Sequence, residues 1–313
     1  MKYRKLGNST LELSVIGYGA WEIGWENYDL SELEATIQKA VELGVNFFDT
    51  APVYGFGKSE EILGNLLKPY RKNIYLATKC GLRWDESGKV YNNLRSDSIL
   101  FEVEQSLKRL KTDFIDLYQV HWPDPNTPVS ETFRTLRRLL DEKIVRYVGV
   151  SNFGPNLIDE ALEYCPIVSN QIVYNYFQRG IEREVVPYCK SKNISIIAYS
   201  PLCQGLAIGK YDESTTFKEG DFRLLNPSFD IRDRFERNVR RAREIKKIAE
   251  RLNLSPSQLA LAWVLYDEIV ATAIVGTTKI RHLEDNIKAS EITIDQSVKS
   301  EIDSILTDPE IFS

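Results

Sequence analysis

Short apolar runs rich in β-branched residues recur along the chain, and each ends at or just before a polar residue. Eight such runs occupy residues 14–19, 45–50, 74–79, 114–121, 146–152, 169–175, 195–200 and 271–277. Amphipathic stretches with helical periodicity lie between them, for example residues 30–44, 96–110 and 255–268. Strand and helix therefore alternate eight times, which predicts a single (β/α)8 TIM barrel domain over residues 1–313.

The character of the runs and of the first loop separates this fold from its alternative. The runs are almost continuously apolar, as expected of parallel strands whose two faces are both buried. The alternative is an open, doubly wound sheet, which should carry a glycine-rich dinucleotide fingerprint after its first strand. That loop contains Gly17 and Gly19 but lacks the third glycine of the fingerprint, so the pattern favours the barrel.

Local signals predict where elements begin and end. Ser31 and Ser255 are suited to cap helix N-termini, Pro256 to the first helical position and Gly44 to a helix stop. Residues 1–6 and 11–15 flank a turn-rich tetrapeptide, which predicts an N-terminal β-hairpin that plugs one end of the barrel. The polar, turn-rich segment 203–235 predicts a long functional loop after strand seven.

Composition narrows the classes of function. The chain is 43% hydrophobic, enough for a large core, and its 45 acidic and 40 basic residues leave a net charge of −5. This balance argues against a general nucleic-acid or anionic-membrane binder, since both need a positive face. No apolar run approaches the roughly 18 residues of a membrane span, and we find no secretory signal pattern. The four cysteines lack paired C-x-x-C spacing, so we expect reduced thiols in a cytoplasmic protein.

Polar residues of different chemical types stand where the predicted strands end. Asp49 ends strand two, Tyr54 follows in the next loop, Lys79 ends strand three and His121 ends strand four. Each could have a structural role when considered alone. In this barrel, however, active sites form at the carboxyl ends of the strands, so all four side chains can converge at one mouth. The set predicts an acid–base site there.

Metal-dependent chemistry, as in a barrel hydrolase or isomerase, would need clustered ligands. The chain has only two histidines, His121 and His282, and it carries neither an H-E-x-x-H motif nor a cysteine cluster. We therefore predict no metal site.

Several motifs that follow one another along the chain resemble those of the aldo-keto reductases. They are GVNFFDTAPVYGFGKSEEILG, ATKCG, DLYQVHWPD, RYVGVSNF, NQIVYN, AYSPLCQGL and IVGTTK followed by DN. The resemblance extends from about Tyr3 to about Asp303, and it is strongest to bacterial IolS-type members and to the potassium-channel β-subunit branch. It implies the reversible, NADP(H)-dependent reduction of aldehydes and ketones to alcohols.

The resemblance implies a catalytic tetrad of Asp49, Tyr54, Lys79 and His121. Tyr54 would donate the proton to the carbonyl oxygen, since a phenol with an ordinary pKa of about 10 is protonated at neutral pH. Lys79 would stabilise the resulting tyrosinate and lower the phenol pKa, and Asp49 would hold Lys79 in place. His121 would donate a hydrogen bond that orients the carbonyl oxygen.

The resemblance also implies a cofactor site. Ser151, Asn152 and Gln171 would hold the nicotinamide carboxamide, and Tyr199 would stack on the nicotinamide ring. The phosphate contacts would come from the loop after strand seven and from the segment after strand eight, namely Ser200, Pro201, Leu202, Gly205, Lys210, Gly276, Thr277, Thr278 and Lys279. Asp285 and Asn286 match the adenine-contacting pair of the family.

The expected cofactor is NADP(H), with NAD(H) as the alternative. Many relatives carry, at the position of Thr278, an arginine that contacts the 2′-phosphate. Here Lys279, Arg281 or His282 would have to replace that arginine.

Trp21 and Trp122 directly follow predicted strand ends, and by resemblance they form an apolar substrate pocket over the nicotinamide. Since the chain ends soon after its last predicted helix, we expect an open pocket that accepts hydrophobic or aromatic aldehydes and ketones. The alternative function is a catalytically weak, cofactor-binding partner protein that resembles the channel β subunits. Neither nucleic acid nor a membrane is an expected partner, and we expect a monomer rather than a homo-oligomer.

Overall fold

The computed structural model describes residues 1–25 and 28–307. The strands are β1 (Tyr3–Lys5), β2 (Glu12–Ser14), β3 (Ile16–Gly19), β4 (Phe47–Asp49), β5 (Tyr75–Cys80), β6 (Leu82–Trp84), β7 (Val90–Asn92), β8 (Ile115–Val120), β9 (Val145–Ser151), β10 (Ser169–Val173), β11 (Ser195–Tyr199) and β12 (Val270–Val275). The helices are α1 (Leu30–Glu42), α2 (Lys58–Leu67), α3 (Ser96–Leu110), α4 (Val129–Asp141), α5 (Pro155–Leu162), α6 (Val185–Lys192), α7 (Arg232–Arg251), α8 (Pro256–Val264), α9 (Ile280–Lys288) and α10 (Gln296–Ile305).

Eight parallel strands close into a barrel. Their order is β10-β11-β12-β3-β4-β5-β8-β9, with β9 pairing back onto β10. The last barrel strand in the chain, β12, pairs with the first, β3, so that Ala273 lies beside Ile16. In the next pair, β3–β4, Tyr18 lies beside Phe48. Every one of the eight apolar runs is a barrel strand, and helices separate successive strands. The predicted (β/α)8 fold is confirmed.

The N-terminal hairpin closes the base of the barrel, as predicted. Strands β1 and β2 pair antiparallel, and the buried side chains of Leu6, Leu11 and Leu13 belong to one core cluster with Phe47 and Leu117 of the barrel interior. Burial of large aliphatic side chains of this kind contributes about 1.5–3 kcal/mol each. The hairpin therefore seals the end opposite to the one where the strands terminate.

Helix starts follow the predicted chemistry at one position and differ at another. Ser255 caps α8 and forms a capping box with Gln258, and Pro256 is the first helical residue. The prediction that Ser31 caps α1 is wrong. Asp29 is the cap, because its carboxylate accepts a hydrogen bond from the backbone N–H of Glu32, and Ser31 donates its hydroxyl to the same carboxylate.

Two loops depart from the simple strand–helix alternation. An antiparallel hairpin, β6–β7, follows β5 and was not predicted. The predicted long loop after the seventh barrel strand is present, and it ends where α7 begins at Arg232. A cluster of mutually contacting aromatic rings, Tyr211, Phe217, Phe229 and Phe235, packs this loop against α7. The loop therefore has a small core of its own.

Within the described residues, no helix is long and apolar enough to cross a membrane. All four cysteines are buried and unpaired.

Candidate active site

A buried ion pair lies at the centre of the barrel mouth. Lys79, the fifth residue of β5, donates from Nζ to Asp49 Oδ2 at 2.6 Å, and Asp49 ends the neighbouring strand β4. Both side chains are almost completely excluded from solvent. Burial alone would lower the pKa of Lys79, but the Asp49 charge and the nearby Tyr54 outweigh it and raise that pKa above its ordinary value. Lys79 is therefore a fixed ammonium.

Tyr54 reaches the same point from the loop after β4. Its hydroxyl oxygen accepts a hydrogen bond from Lys79 Nζ at 3.3 Å, which leaves the phenol proton available to a third group. Burial raises the pKa of Tyr54, and the charge of Lys79 opposes that rise. The loop is held by the contact of two glycines, since a Cβ at Gly24 or at Gly55 would overlap the backbone of the other loop. Gly55 also has a left-handed φ of 61°.

His121 faces Tyr54 from the end of β8. The two rings meet edge to face with centroids 5.7 Å apart. Burial, and then the charge of Lys79, lower the pKa of His121 well below its usual range. The imidazole is therefore neutral at physiological pH, with one N–H donor and one acceptor.

Two glutamines complete the shell around Asp49. Gln119 and Gln171 each donate from Nε2 to Asp49 Oδ1, at 3.0 and 2.7 Å. Gln171 is one of the predicted cofactor residues, but Gln119 was missed. Its signal was present in the sequence, because Gln119 stands two residues before His121 and therefore shares its face of the strand.

The predicted carboxamide site is assembled next to the tetrad. Asn152 accepts a hydrogen bond from the Tyr199 hydroxyl at 3.0 Å and donates to Ser151 Oγ at 3.0 Å and to the His121 carbonyl at 3.3 Å. Asn152 has a left-handed φ of 62°, which asparagine tolerates better than most residues. Burial raises the pKa of Tyr199 to about 12, so its hydroxyl stays protonated. Ser151, Asn152 and Tyr199 are thus linked by hydrogen bonds, and the Asn152 N–H donates to the Gln171 carbonyl.

The loop that follows Tyr199 has an unusual backbone. The φ values of Ser200, Cys203, Gln204 and Gly205 are 50°, 46°, 53° and 96°. The loop is tightly folded, since the N–H groups of Cys203 and Gly205 donate to the carbonyls of Ser200 and Leu202. Pro201 and Leu202 lie inside this loop, and an added Cβ at Gly205 would press on the aliphatic stem of Lys210, so the loop wraps around that lysine.

The segment after β12 contains four of the residues predicted to contact the cofactor phosphates. Gly276, Thr277 and Thr278 lead into α9, and the carbonyl of Thr277 accepts the hydroxyl of the buried Tyr18 at 2.5 Å. Lys279 caps the start of α9, but its ammonium is paired with Glu32 of α1 at 2.5 Å. The structure therefore directs Lys279 toward α1.

Three further predicted residues lie on α9. The exposed His282 is hydrogen-bonded to Arg281. Asp285 accepts hydrogen bonds from Ser255 Oγ and from Gln258 Nε2, both at 2.7 Å, and from a third donor, the Ser257 hydroxyl. Its carboxylate thus joins α9 to the capped start of α8. Asn286 is buried beside it.

Aromatic rings form a continuous wall around the mouth. Ring contacts run from Phe222 to Trp21, from Trp21 to Trp25, from Trp25 to Phe56 and from Phe56 to Trp84. The sequence predicted Trp21 from this wall but missed the others, which lie outside the barrel strands and come together only when the barrel closes. Trp122 stands apart from these contacts and lines a cavity with Asn152 and Tyr199. Both predicted tryptophans are about two-fifths exposed, at 40% and 44%.

Among the described residues, no group of three or more histidines, cysteines, aspartates or glutamates is arranged to hold a metal ion. The mouth instead combines a proton donor, a fixed cation and a neutral imidazole in an apolar surround, which is an arrangement for acid–base chemistry.

The whole chain is similar to proteins of one known family. A model of the Aldo/keto reductase family matches residues 15–307. The aldo-keto reductase YhdN of Bacillus subtilis is 38% identical over 98% of this chain and 94% of its own length. A solved glycerol dehydrogenase from Gluconobacter oxydans superposes with a TM-score of 0.90, at 36% identity and with 98% of each chain covered.

Other relatives bear on the cofactor and on the branch of the family. The aldo-keto reductase yakc of Schizosaccharomyces pombe, named with NADP(+), is 35% identical over 96% of this chain and 89% of its own. The NADH-specific methylglyoxal reductase of Escherichia coli is 33% identical over 94% and 95%. A probable voltage-gated potassium channel subunit beta of Oryza sativa is also 33% identical, over 93% and 92%. Together with the family match and the barrel, these similarities show that the chain belongs to the aldo/keto reductase family.

Proposed function

We propose that this protein is an NADP(H)-dependent reductase of aldehydes and ketones in which Tyr54 donates the proton. The observation that carries the proposal is the hydrogen bond from Lys79 Nζ to the hydroxyl oxygen of Tyr54, whose ring contacts the His121 ring edge to face. A phenol that accepts from an ammonium points its own proton elsewhere, and the remaining open direction is the mouth.

The residues of the mouth fit a nicotinamide nucleotide. Gln171 uses Nε2 on Asp49, so Oε1 is the atom that it can offer to an amide N–H. Tyr199 supplies an aromatic face beside Asn152. The tightly folded loop at residues 200–205 would lie beside the phosphates. When bound, such a cofactor supplies the hydride that the carbonyl carbon accepts.

The chain's own residues then handle the proton. The hydroxyl of Tyr54 donates its proton to the carbonyl oxygen as negative charge develops there. Lys79, held by Asp49, stabilises the tyrosinate that remains. The neutral His121 donates one hydrogen bond to the same oxygen and orients it. Asp49, Lys79 and His121 are buried and Tyr54 is partly buried, and such low-dielectric surroundings strengthen each of these interactions.

NADP(H) is the cofactor that we propose, with NAD(H) as the alternative, because the names of relatives include both. Thr278 lacks the charge to bind a 2′-phosphate, and Lys279 is engaged with Glu32. Arg281, exposed on the first turn of α9, is therefore the candidate contact for that phosphate.

The test is the consumption of NADPH with an activated aldehyde such as 4-nitrobenzaldehyde. Aldehyde-dependent oxidation that survives a chelator supports the proposal. Tight NADPH binding without turnover of any aldehyde or ketone would instead favour a partner protein, as the name of the similar channel subunit suggests. The measurement separates the two functions because only a reductase oxidises NADPH when an aldehyde is added.

A further inference from the structure

The aromatic rings around the mouth, which we call the aromatic wall, extend well beyond the tetrad. Neighbouring ring centroids lie 4.8–6.4 Å apart along the series Phe222, Trp21, Trp25, Phe56 and Trp84. The first four of these side chains are 40–43% exposed, and Trp84 is half-buried. A contiguous exposed apolar surface of this kind is typical of a binding site.

The inner part of the wall is joined directly to the candidate active site. Trp21 follows Ala20, whose backbone N–H donates to the Asp49 carbonyl at 2.9 Å. Phe56 comes two residues after Tyr54 and has a left-handed φ of 55°. A bulky residue adopts this conformation only at a cost in backbone energy, so the surrounding structure holds the Phe56 ring at the mouth. The wall is therefore continuous with the site of the proposed chemistry.

The outer end of the wall is held by the β6–β7 hairpin. Trp84 of β6 contacts the Phe56 ring with centroids 5.4 Å apart. At the base of the hairpin, the Gly81 N–H donates to the buried carboxylate of Glu102 at 3.2 Å, and the Gly81 carbonyl accepts the N–H of Asn93 at 3.0 Å. Both ends of the wall are thus anchored, and a preformed surface binds a ligand at a lower entropic cost.

The barrel order separates most of the wall from the residues proposed to hold the nicotinamide. Strands β3, β4 and β5 are neighbours, and the segments that follow them carry all the rings of the wall except Phe222. Strands β9, β10 and β11, which end in or carry Ser151, Gln171 and Tyr199, lie on the opposite side of the closed barrel. A carbonyl compound at Tyr54 can therefore extend along the wall without displacing the cofactor.

The inclination of the rings favours one shape of ligand. Along the series, successive ring planes are inclined by 55°, 55°, 82° and 45°. A rigid planar molecule can lie flat on only one such ring at a time. An alkyl chain can instead change direction at each single bond through staggered rotamers, and so it can follow the rings in turn. The wall is therefore shaped for a flexible apolar chain.

We propose that the aromatic wall binds the alkyl tail of the substrate, so that the preferred substrates are long-chain aliphatic aldehydes. This inference rests on the proposed function. The carbonyl group lies at Tyr54 and His121, and the tail runs along Trp25 and Phe56 toward Trp84. These three rings of the wall are then specificity-determining residues, because each methylene group that they remove from water stabilises the bound substrate.

The first experiment measures NADPH consumption with n-alkanals from propanal to decanal and with aldehydes whose tails are ethylene glycol ethers of the same lengths. We expect kcat/KM for the alkanals to rise about two- to fourfold per methylene group until the wall is covered, and to stay level for the ethers. Decanal should also be preferred over 3-(2-naphthyl)propanal, which has an equally unconjugated carbonyl but a rigid planar tail.

The second experiment removes rings at the outer part of the wall. Trp84→Ala and Trp25→Ala should lower kcat/KM for decanal at least about fivefold more than for propanal, through KM. Tyr91→Ala is the matched control, because Tyr91 is an exposed ring on the same hairpin. It pairs with Arg83, the neighbour of Trp84, so strand alternation places it on the opposite face. This variant should leave the ratio of decanal to propanal unchanged.

A level profile for the alkanals, or an equal rise for the ethers, would overturn the inference while carbonyl reduction itself remained. A preference for the naphthyl compound would overturn the assignment of a flexible tail. Equal losses for propanal and decanal in Trp84→Ala, together with a lower melting temperature, would show that this ring only packs the hairpin and would also refute it.

Calorimetric titration with 1-decanol in the absence of cofactor decides the case if no carbonyl compound is turned over. Binding that Trp84→Ala weakens and Tyr91→Ala does not would support the wall as the site of the tail. Binding that Trp84→Ala leaves unchanged, or no binding, would refute it.

Discussion

Two buried aspartates, each satisfied by cations and hydrogen bonds, occupy opposite ends of the barrel. Asp116, near the start of β8, pairs with Arg71 at 2.8 Å and Arg146 at 3.0 Å and accepts the backbone N–H of Leu76. Both guanidinium groups pack on the ring of Phe114, at 4.2 and 3.9 Å from its centroid. The charged groups of this cluster thus contact one another and the Phe114 ring.

Asp49, at the end of β4, is equally enclosed but differently connected. Its cation, Lys79, has a second partner in the phenol of Tyr54, and the neutral ring of His121 lies beside that phenol. A change in the protonation of Tyr54 therefore changes its interaction with the ammonium of Lys79, which Asp49 holds in place. A buried ion pair by itself indicates structure, and its link to a group that can exchange a proton indicates chemistry.

Removal of the proton donor from the Asp49 cluster should have the largest effect on activity. Tyr54→Phe keeps the ring and its packing but removes the hydroxyl, so we expect kcat to fall about 10²- to 10⁴-fold, the usual range for a lost general acid. NADPH binding, measured by fluorescence titration, should remain within about twofold. Carbonyl reduction at the wild-type rate would contradict the mechanism.

The two aspartates can be exchanged for asparagine as a matched pair. Asp116→Asn leaves the largely buried Arg71 and the half-exposed Arg146 without their anion. We expect the free energy of unfolding to fall by about 3 kcal/mol, while kcat at a permissive temperature is retained. Asp49→Asn should instead lower kcat, because Lys79 loses the charge that holds it. Denaturant unfolding and steady-state kinetics on both variants check this, and the same pattern in both would remove the distinction.

A third buried carboxylate, Glu102, sharpens the comparison because it forms no ion pair with another described residue. Burial raises its pKa to about 7, against an ordinary 4.5, and is partly offset by the hydrogen bond from the Gly81 N–H, by the charge of Arg83 and by the hydrogen bond from Ser98. The folded state thus holds this proton more tightly, so the stability gained is complete below pH 4.5 and is lost as the pH rises to about 7. Glu102→Gln should therefore be more stable than the wild type at pH 8, by up to about 3 kcal/mol, and equal to it at pH 4. Melting curves at the two pH values test this, and a pH-independent difference would count against it.

The smallest expected effect concerns cofactor choice at the rim of the mouth. Arg281 is exposed, so an ion pair with a 2′-phosphate is worth about 1 kcal/mol, or roughly fivefold in Kd. Arg281→Ala should weaken NADPH by that amount and leave NADH nearly unchanged, and Lys279→Ala should do less because Lys279 pairs with Glu32. Titration of both variants with both cofactors measures the four constants. Equal weakening of NADPH and NADH would mean that Arg281 does not contact the phosphate.

Much of the fold followed from periodicity. Eight apolar runs of strand length, separated by helical stretches, can bury both faces of each strand only in a closed or doubly covered sheet, and the barrel resulted. The cap of α1 was misassigned because Asp29 and Ser31 are both good capping residues two positions apart, and only the backbone geometry selects between them. The β6–β7 hairpin was missed although its Asp-Glu-Ser-Gly turn is a local signal.

The candidate site was predictable as a set of residues but not as a network. Asp49, Lys79 and His121 could be assigned to the mouth because parallel strands all end on the same side. The hydrogen bond of Gln119 to Asp49 spans 70 positions of sequence, and the contact of Gly24 with Gly55 joins two loops. Such contacts depend on barrel shear and on loop conformation, which periodicity does not encode.

The sequence by itself determined the order of strands and helices, the end of the barrel at which chemistry is possible and the residue types present there, because alternation and chain direction are local properties. Only the tertiary structure decided which charges are paired. It placed Lys279 on Glu32 and Asp285 on the cap of α8. Partners of this kind are set by distances between elements far apart in the chain, and those distances exist only once the barrel has closed.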